Sequence, residues 1–142
     1  LIEGIRYAIG DNNNLDYSRA KTLRTPEEER FTKTTLAQGV FFEPTEMTIL
    51  PNLDILIVQR RGEILLYKHS TGKVSQIGFL DVYFKTQHTP GVNAEEGLLG
   101  VQADPDFAQN HFVYMYYSPI DSSVNRLSRF TLTRSAVSPW EL

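Results

Sequence analysis

Three histidines, His69, His88 and His111, are the side chains of this chain best suited to move a proton near neutral pH. No cysteine is present, which excludes disulfides, thiol catalysis and thiolate-ligated metals. His69 falls at a hairpin, His88 in a long loop and His111 at a strand entrance, so each reads as an ordinary surface or turn histidine. The adjacent carboxylates Glu95 and Glu96 open an apolar strand and read as the solvated mouth of a loop. Asp104 and Asp106 carry oxygens of the kind a hard cation takes, but two carboxylates flanking Pro105 are too sparse a set. A turn with aspartate side chains bonded to nearby backbone amides accounts for them more simply. Gly97 and Gly100 bracket two leucines, but no Lys-Ser or Lys-Thr follows, so nucleotide binding is not supported. Tyr114, Tyr116 and Tyr117 could stack on a sugar, yet a strand packed between two faces explains them more simply. Arg126 and Arg129 fall on opposite faces of a strand and form no joint anion clamp.

The elements that must position these residues are short strands. Strand-forming segments at 47–50, 55–60, 64–68 and 74–79 are separated by Pro51-Asn52, Arg61-Gly62 and Ser70-Thr71-Gly72, all turn-forming chemistries. Four short antiparallel strands of this kind make one blade of a radial sheet fold. The unbroken run Ile55-Leu56-Ile57-Val58 predicts a strand buried on both faces. Residues 81–93, broken by Thr89-Pro90-Gly91, form a long connection. A second set of strands follows at 98–103, 113–117 and 126–132. The fold class is therefore all-β: antiparallel strands forming the first one to two blades of a β-propeller, with a short helix at the N-terminus.

Composition narrows the partners. A chain of 142 residues with 41% hydrophobic content is enough for a packed core, and a net charge of −3 lacks the basic excess that nucleic acid requires. No apolar run approaches the roughly 20 residues of a membrane-spanning helix. Leu1, Ile2, Ile5 and Ile9 recur at helical spacing and stop at Gly10, so residues 1–10 read as the tail of a helix. Residues 11–30 turn polar, with Pro26 and three consecutive glutamates, and read as a linker. Residues 31–36 read as extended, and the chain from 31 to 142 reads as a partial propeller. The start at Leu1, with no signal segment, reads as that of an internal piece.

Several blocks resemble the glucose/sorbosone dehydrogenase-like propellers, among them the soluble aldose dehydrogenases that use pyrroloquinoline quinone (PQQ). They are Glu95-Glu96-Gly97-Leu98-Leu99-Gly100, Asp104-Pro105-Asp106-Phe107, Val113-Tyr114-Met115-Tyr116-Tyr117 and Asn125-Arg126-Leu127-Ser128-Arg129-Phe130. An upstream match runs through Glu43-Pro44-Thr45-Glu46-Met47, Leu50-Pro51-Asn52, Ile57-Val58-Gln59-Arg60 and Gly62-Glu63-Ile64. The start, Glu3-Gly4-Ile5-Arg6-Tyr7-Ala8, resembles the closing helix of ThuA-like domains that sometimes precede such propellers.

The resemblance implies a parent that oxidises a sugar with PQQ and calcium, in the periplasm or outside the cell. It implies a catalytic histidine on a later blade, matched by none of His69, His88 or His111. The chain alone is then a scaffold expected to hold no cofactor and to be inactive, with the remaining blades as partners and the sugar met only by the complete propeller. Glu95 is the one transferable position. It aligns with a polar residue, glutamine in some members, that approaches the quinone. An ionised glutamate there accepts hydrogen bonds but cannot donate them, and it repels the carboxylates of the quinone. That departure leaves room for a second expectation, a non-catalytic propeller binding carbohydrate or protein.

Overall fold

The computed structural model describes residues 30–85 and 94–134. The expected helix tail over 1–10, its ThuA-like resemblance, nearly all of the linker, His88 and the tail 135–142 lie outside the described residues. Two units divide the chain, Leu1–Thr34 and Thr35–Leu142. Of the first, only residues 30–34 are described, and they are exposed and join no strand. The architecture below is that of the second.

Four strands, β1 (Pro44–Ile49), β2 (Ile55–Gln59), β3 (Glu63–Lys68) and β4 (Lys73–Phe79), form an antiparallel sheet in sequence order. Three more, β5 (Leu98–Ala103), β6 (Phe112–Tyr117) and β7 (Arg126–Thr131), form a second antiparallel sheet, also in sequence order. Each strand named from the sequence is present: β5 matches at both ends, and the other strands have at least one end shifted, by at most three residues. A helical turn, α1 (Phe107–Asn110), was not anticipated: the Asp-Pro-Asp turn runs into one extra turn of helix. Residues 31–36, read as extended, belong to no ladder.

The two sheets share one core. Leu56, Val58, Ile64, Leu66 and Ile77 from the first meet Leu98, Val101, Val113, Met115 and Tyr117 from the second, with Phe107 of α1 and Leu132 closing the cluster. Register explains the selection. Leu56 opposes Leu66 and Val58 opposes Ile64, so the even-numbered residues of β2 and β3 fall on one face. The odd set, Ile57, Leu65 and Tyr67, forms a second cluster, against which Ala37, Phe41, Ile55 and Val74 pack. Strand β2 is therefore buried on both faces, as its unbroken apolar run requires. Strand β6 is not: Val113, Met115 and Tyr117 are buried, while Tyr116 is exposed and Phe112 and Tyr114 are half-buried. The aromatic strand has one packed face and one partly open face, which corrects the expectation of two packed faces.

Three bulges interrupt the ladders, and they shape the junction between the sheets. Pairing skips Thr45 in β1, Leu99 in β5 and Ile77 in β4. An extra residue bends its strand and re-aims its side chain. Thr45 uses this freedom to donate its hydroxyl to the carbonyl oxygen of Leu98 at 2.7 Å, joining β1 to β5 across the gap between sheets. Lower on the same seam the Thr48 hydroxyl accepts the Ala103 N–H at 3.2 Å.

Candidate functional site

Strand registers sort the candidate residues between two ends of the paired sheets. Pro44 pairs with Gln59, Glu63 with Phe79 and Leu98 with Tyr117, so Glu43, Arg60, Arg61, Glu95, Glu96 and the loop after Tyr117 share one end. Ile55 pairs with Tyr67 and Ala103 with Val113, so Asp54, His69, Asp104 and His111 share the other. At about 3.3 Å per residue, six-residue strands keep the two ends roughly 17 Å apart. Neither described histidine can therefore act together with Glu95.

At the far end both histidines serve turns. The His69 backbone N–H donates to Asp54 Oδ1 at 2.9 Å, and its side chain is exposed. His111 caps α1 in a left-handed conformation at φ 57°, donates its N–H to the Phe107 carbonyl, and sets its ring 5.7 Å from that of Phe107. Asp104 accepts the Asp106 N–H and the Asn110 amide on Oδ1, both at 2.9 Å, and the Tyr114 hydroxyl on Oδ2 at 2.7 Å. The Asn110 bond, followed by those from Asp106 and Tyr114, lowers the Asp104 carboxyl below its usual range, while the same contact with Asp104 raises the Tyr114 phenol. A carboxylate so saturated by donors is a turn anchor, as the proline between Asp104 and Asp106 suggests. Among the described residues no three His, Asp or Glu gather as a metal site.

The near end is open and polar. Glu95 and Glu96 are exposed, and Glu95 has no hydrogen-bond partner among the described residues. Beside them lies a concavity of about 680 Å³ lined by Tyr83, Glu96, Ser118, Asp121, Ser122 and Asn125, with neighbouring residues of the same loop. Hydroxyls, an amide and two carboxylates around one aromatic ring suit a ligand rich in hydroxyl groups. Residues 118–124 carry no motif in the sequence, and only the fold of this loop against Tyr83 and Glu96 reveals it. It is tied down by the Ser118 hydroxyl donating to Asn125 Oδ1 at 2.8 Å and by the Ser118 N–H donating to the Gly97 carbonyl at 2.9 Å.

Behind this mouth stands Arg60, to which no role was assigned from the sequence. Its Nη1 donates to the carbonyls of Phe84 and Ala94, both at 2.7 Å, and its Nη2 to both Glu43 carboxylate oxygens at 2.9 Å. The Arg60 bond, aided by Arg61, outweighs desolvation and lowers the Glu43 carboxyl below its usual range. Arg61 reaches Glu43 at 3.4 Å and lies 3.9 Å over the Phe42 ring. Both partners, Glu43 and Arg60, sit within resembling sequence blocks, but a pairing across 17 positions leaves no mark in a single sequence.

Two antiparallel sheets, consecutive in sequence and packed face to face around one core, define neighbouring blades of a β-propeller. The chain belongs to the Glucose / Sorbosone dehydrogenase family, whose profile matches residues 41–141. It is similar to the PQQ-bound aldose sugar dehydrogenase of Streptomyces coelicolor, with 30% identity and a TM-score of 0.55 over 75% of this chain and 29% of that one. An oxidoreductase of Thermus thermophilus described as a glucose dehydrogenase is 28% identical, with a TM-score of 0.57 over 73% of this chain and 28% of its own. An uncharacterized protein of Synechocystis sp. is 29% identical over 102 residues, 70% of this chain and 25% of its own length. The chain thus spans between 25% and 29% of these relatives. No helix among the described residues is long and apolar enough to cross a membrane.

Proposed function

We propose that this chain supplies the first two blades of a quinone-dependent sugar dehydrogenase propeller, and that the catalytic base lies on a later blade. The observation carrying this reading is the packing of two in-order antiparallel sheets around one core, in a chain 30% identical to the PQQ-bound aldose sugar dehydrogenase of Streptomyces coelicolor. In this reading residues 1–10 end a preceding ThuA-like domain, 11–30 link it to the propeller, and the whole works in the periplasm or outside the cell. The remaining blades are partners of this chain, and the sugar is bound by the closed ring.

Glu95 is the residue of this chain proposed to meet the quinone. Its exposed carboxylate, free of other partners among the described residues, fits as an acceptor. The pyrrole N–H is the ring donor that PQQ offers it, whereas the acidic groups of the cofactor repel it. When bound, the quinone accepts two electrons from the sugar. This chain's own part is to hold one hydrogen-bond acceptor at the mouth and to keep the blade beneath it rigid. A dye-reduction assay with several aldoses, PQQ and calcium tests the reading: turnover by the complete protein and none by residues 1–142 alone is expected. Turnover by the isolated chain would overturn it.

The acidic residues at the mouth, Glu96 and Asp121 in the lining of the concavity and the exposed Glu95 next to Glu96 in the chain, favour a second reading, a propeller that binds carbohydrate without oxidising it. A complete protein that binds an aldose but takes up no PQQ would establish that alternative.

A further inference from the structure

Arg60 holds both stems of the connection that leads from the first sheet to the second. Phe84 and Ala94 stand on either side of that connection, ten positions apart, and their carbonyl oxygens converge on the two hydrogens of one guanidinium nitrogen. The backbone of the same residue extends the grip. Its carbonyl accepts the Leu98 N–H at 3.0 Å, its N–H donates to the Glu43 carbonyl at 3.0 Å, and its side chain passes so close to Gly97 that a β-carbon there would come within 2.9 Å of Arg60 Cγ. Glu95 is thus bracketed. The residue before it, Ala94, and the residues Gly97 and Leu98 after it are all seated on Arg60, while Glu95 itself has no anchor among the described residues.

We propose that Arg60 is the positioning residue of the mouth: it sets where the Glu95 carboxylate stands, and with it the ligand contact that Glu95 makes. The proposal rests on the reading of Glu95 as a ligand contact. The chemistry needs arginine. Two carbonyls and a carboxylate lie around one planar group, and a guanidinium directs separate N–H bonds to all of them, whereas a lysine ammonium is a compact charge on a flexible stem. The side chain is 13% exposed, so these bonds are shielded from solvent more than an ordinary surface pair. Glu43 turns its charge to this role from a left-handed backbone, φ 49°, an uncommon conformation for a residue other than glycine.

The test uses the complete propeller carrying this chain, with Arg60→Met, Arg60→Lys and Glu43→Gln. Amide hydrogen exchange is followed at Leu98 and Ser118, whose N–H groups are held by the Arg60 and Gly97 carbonyls, and, as the reference, at Met115 of β6, and PQQ binding is followed by titration. Arg60→Met is expected to speed exchange at Leu98 and Ser118 about tenfold or more, the effect of losing charged hydrogen bonds, while leaving Met115 unchanged. PQQ affinity should fall by about the same factor. Arg60→Lys should restore the melting temperature but not the protection of Leu98 and Ser118, and Glu43→Gln should give an intermediate effect. Unchanged exchange at Leu98 and Ser118, or equal acceleration at Met115, overturns the proposal. If Arg60→Met does not fold, the exchange of Arg60→Lys decides in the same way. A wild-type protein that takes up no PQQ would remove the cofactor reading of Glu95, while exchange still decides whether Arg60 fixes the mouth.

Discussion

Gly97 lies against the backbone of Arg60 at φ 139°, where a β-carbon would overlap the Arg60 carbonyl oxygen, the same oxygen that accepts the Leu98 N–H. The approach of β5 to the first blade therefore depends on the absence of a side chain at this position. Gly97→Ala is expected to destabilise the protein by about 1–3 kcal/mol through backbone strain alone. Gly100→Ala is the control, since a β-carbon there meets only Tyr116 Cβ at 3.5 Å, an ordinary contact. Urea unfolding of both variants checks this, and equal midpoints would refute the close-approach argument.

Asp104 and Tyr114 make stability depend on pH at both extremes. The Asp104 carboxyl is lowered in the fold, first by Asn110 and then by Asp106 and Tyr114. Its contribution is present above the unfolded aspartate pKa and is lost as pH falls through the folded value. The Tyr114 phenol is raised, first by its bond to Asp104. That contribution is present below the unfolded tyrosine pKa, about 10, and is lost as pH rises through the folded value. Tyr114→Phe should remove the Tyr114 share of the alkaline dependence, flattening that limb, and weaken the acid one. Thermal melting from about pH 3 to about pH 11, a range spanning the ordinary aspartate and tyrosine values, reads both limbs. An unchanged alkaline limb in the variant would contradict the assignment.

The Thr45 hydroxyl bridges blades through the Leu98 carbonyl. Thr45→Val keeps the shape and removes the donor, and a loss of about 1 kcal/mol is expected, the net worth of one hydrogen bond. Thr45→Ser, which keeps the hydroxyl, should lose less. The ranking is read from denaturant midpoints, and valine as stable as threonine would show that the bridge contributes nothing.

The core between sheets should respond to truncation from either side. Leu66 and Met115 are fully buried in the shared cluster, and alanine at either is expected to cost about 2–5 kcal/mol. A cost below about 1 kcal/mol for Met115→Ala, measured by chemical denaturation, would mean that the second sheet does not pack as one body with the first.

Strands, turns and the propeller class were legible in the residues because strand signals are local. Alternation, the run Ile55-Leu56-Ile57-Val58 and the glycine or proline at each turn are properties of a few consecutive positions. The turn at Asp104 was legible for the same reason, since its side chain bonds the N–H of Asp106, two residues on. The extra helical turn at Phe107–Asn110 was not, because Phe107 owes its burial to a core assembled from both sheets. The partly open face of β6 was equally invisible, because an aromatic run reads the same whether one face or two are covered.

By itself, then, the sequence determined which segments become strands and that they repeat as blades. Only the tertiary structure decided that His69 and His111 fall at the end opposite Glu95, and that the loop of 118–125 joins Glu96 around a concavity. It alone brought the Arg60 guanidinium to the carbonyls of Phe84 and Ala94 and to the Glu43 carboxylate. The reason is range: a turn is written in neighbours, whereas strand register and a guanidinium reaching 17, 24 and 34 positions along the chain exist only once the sheets have packed.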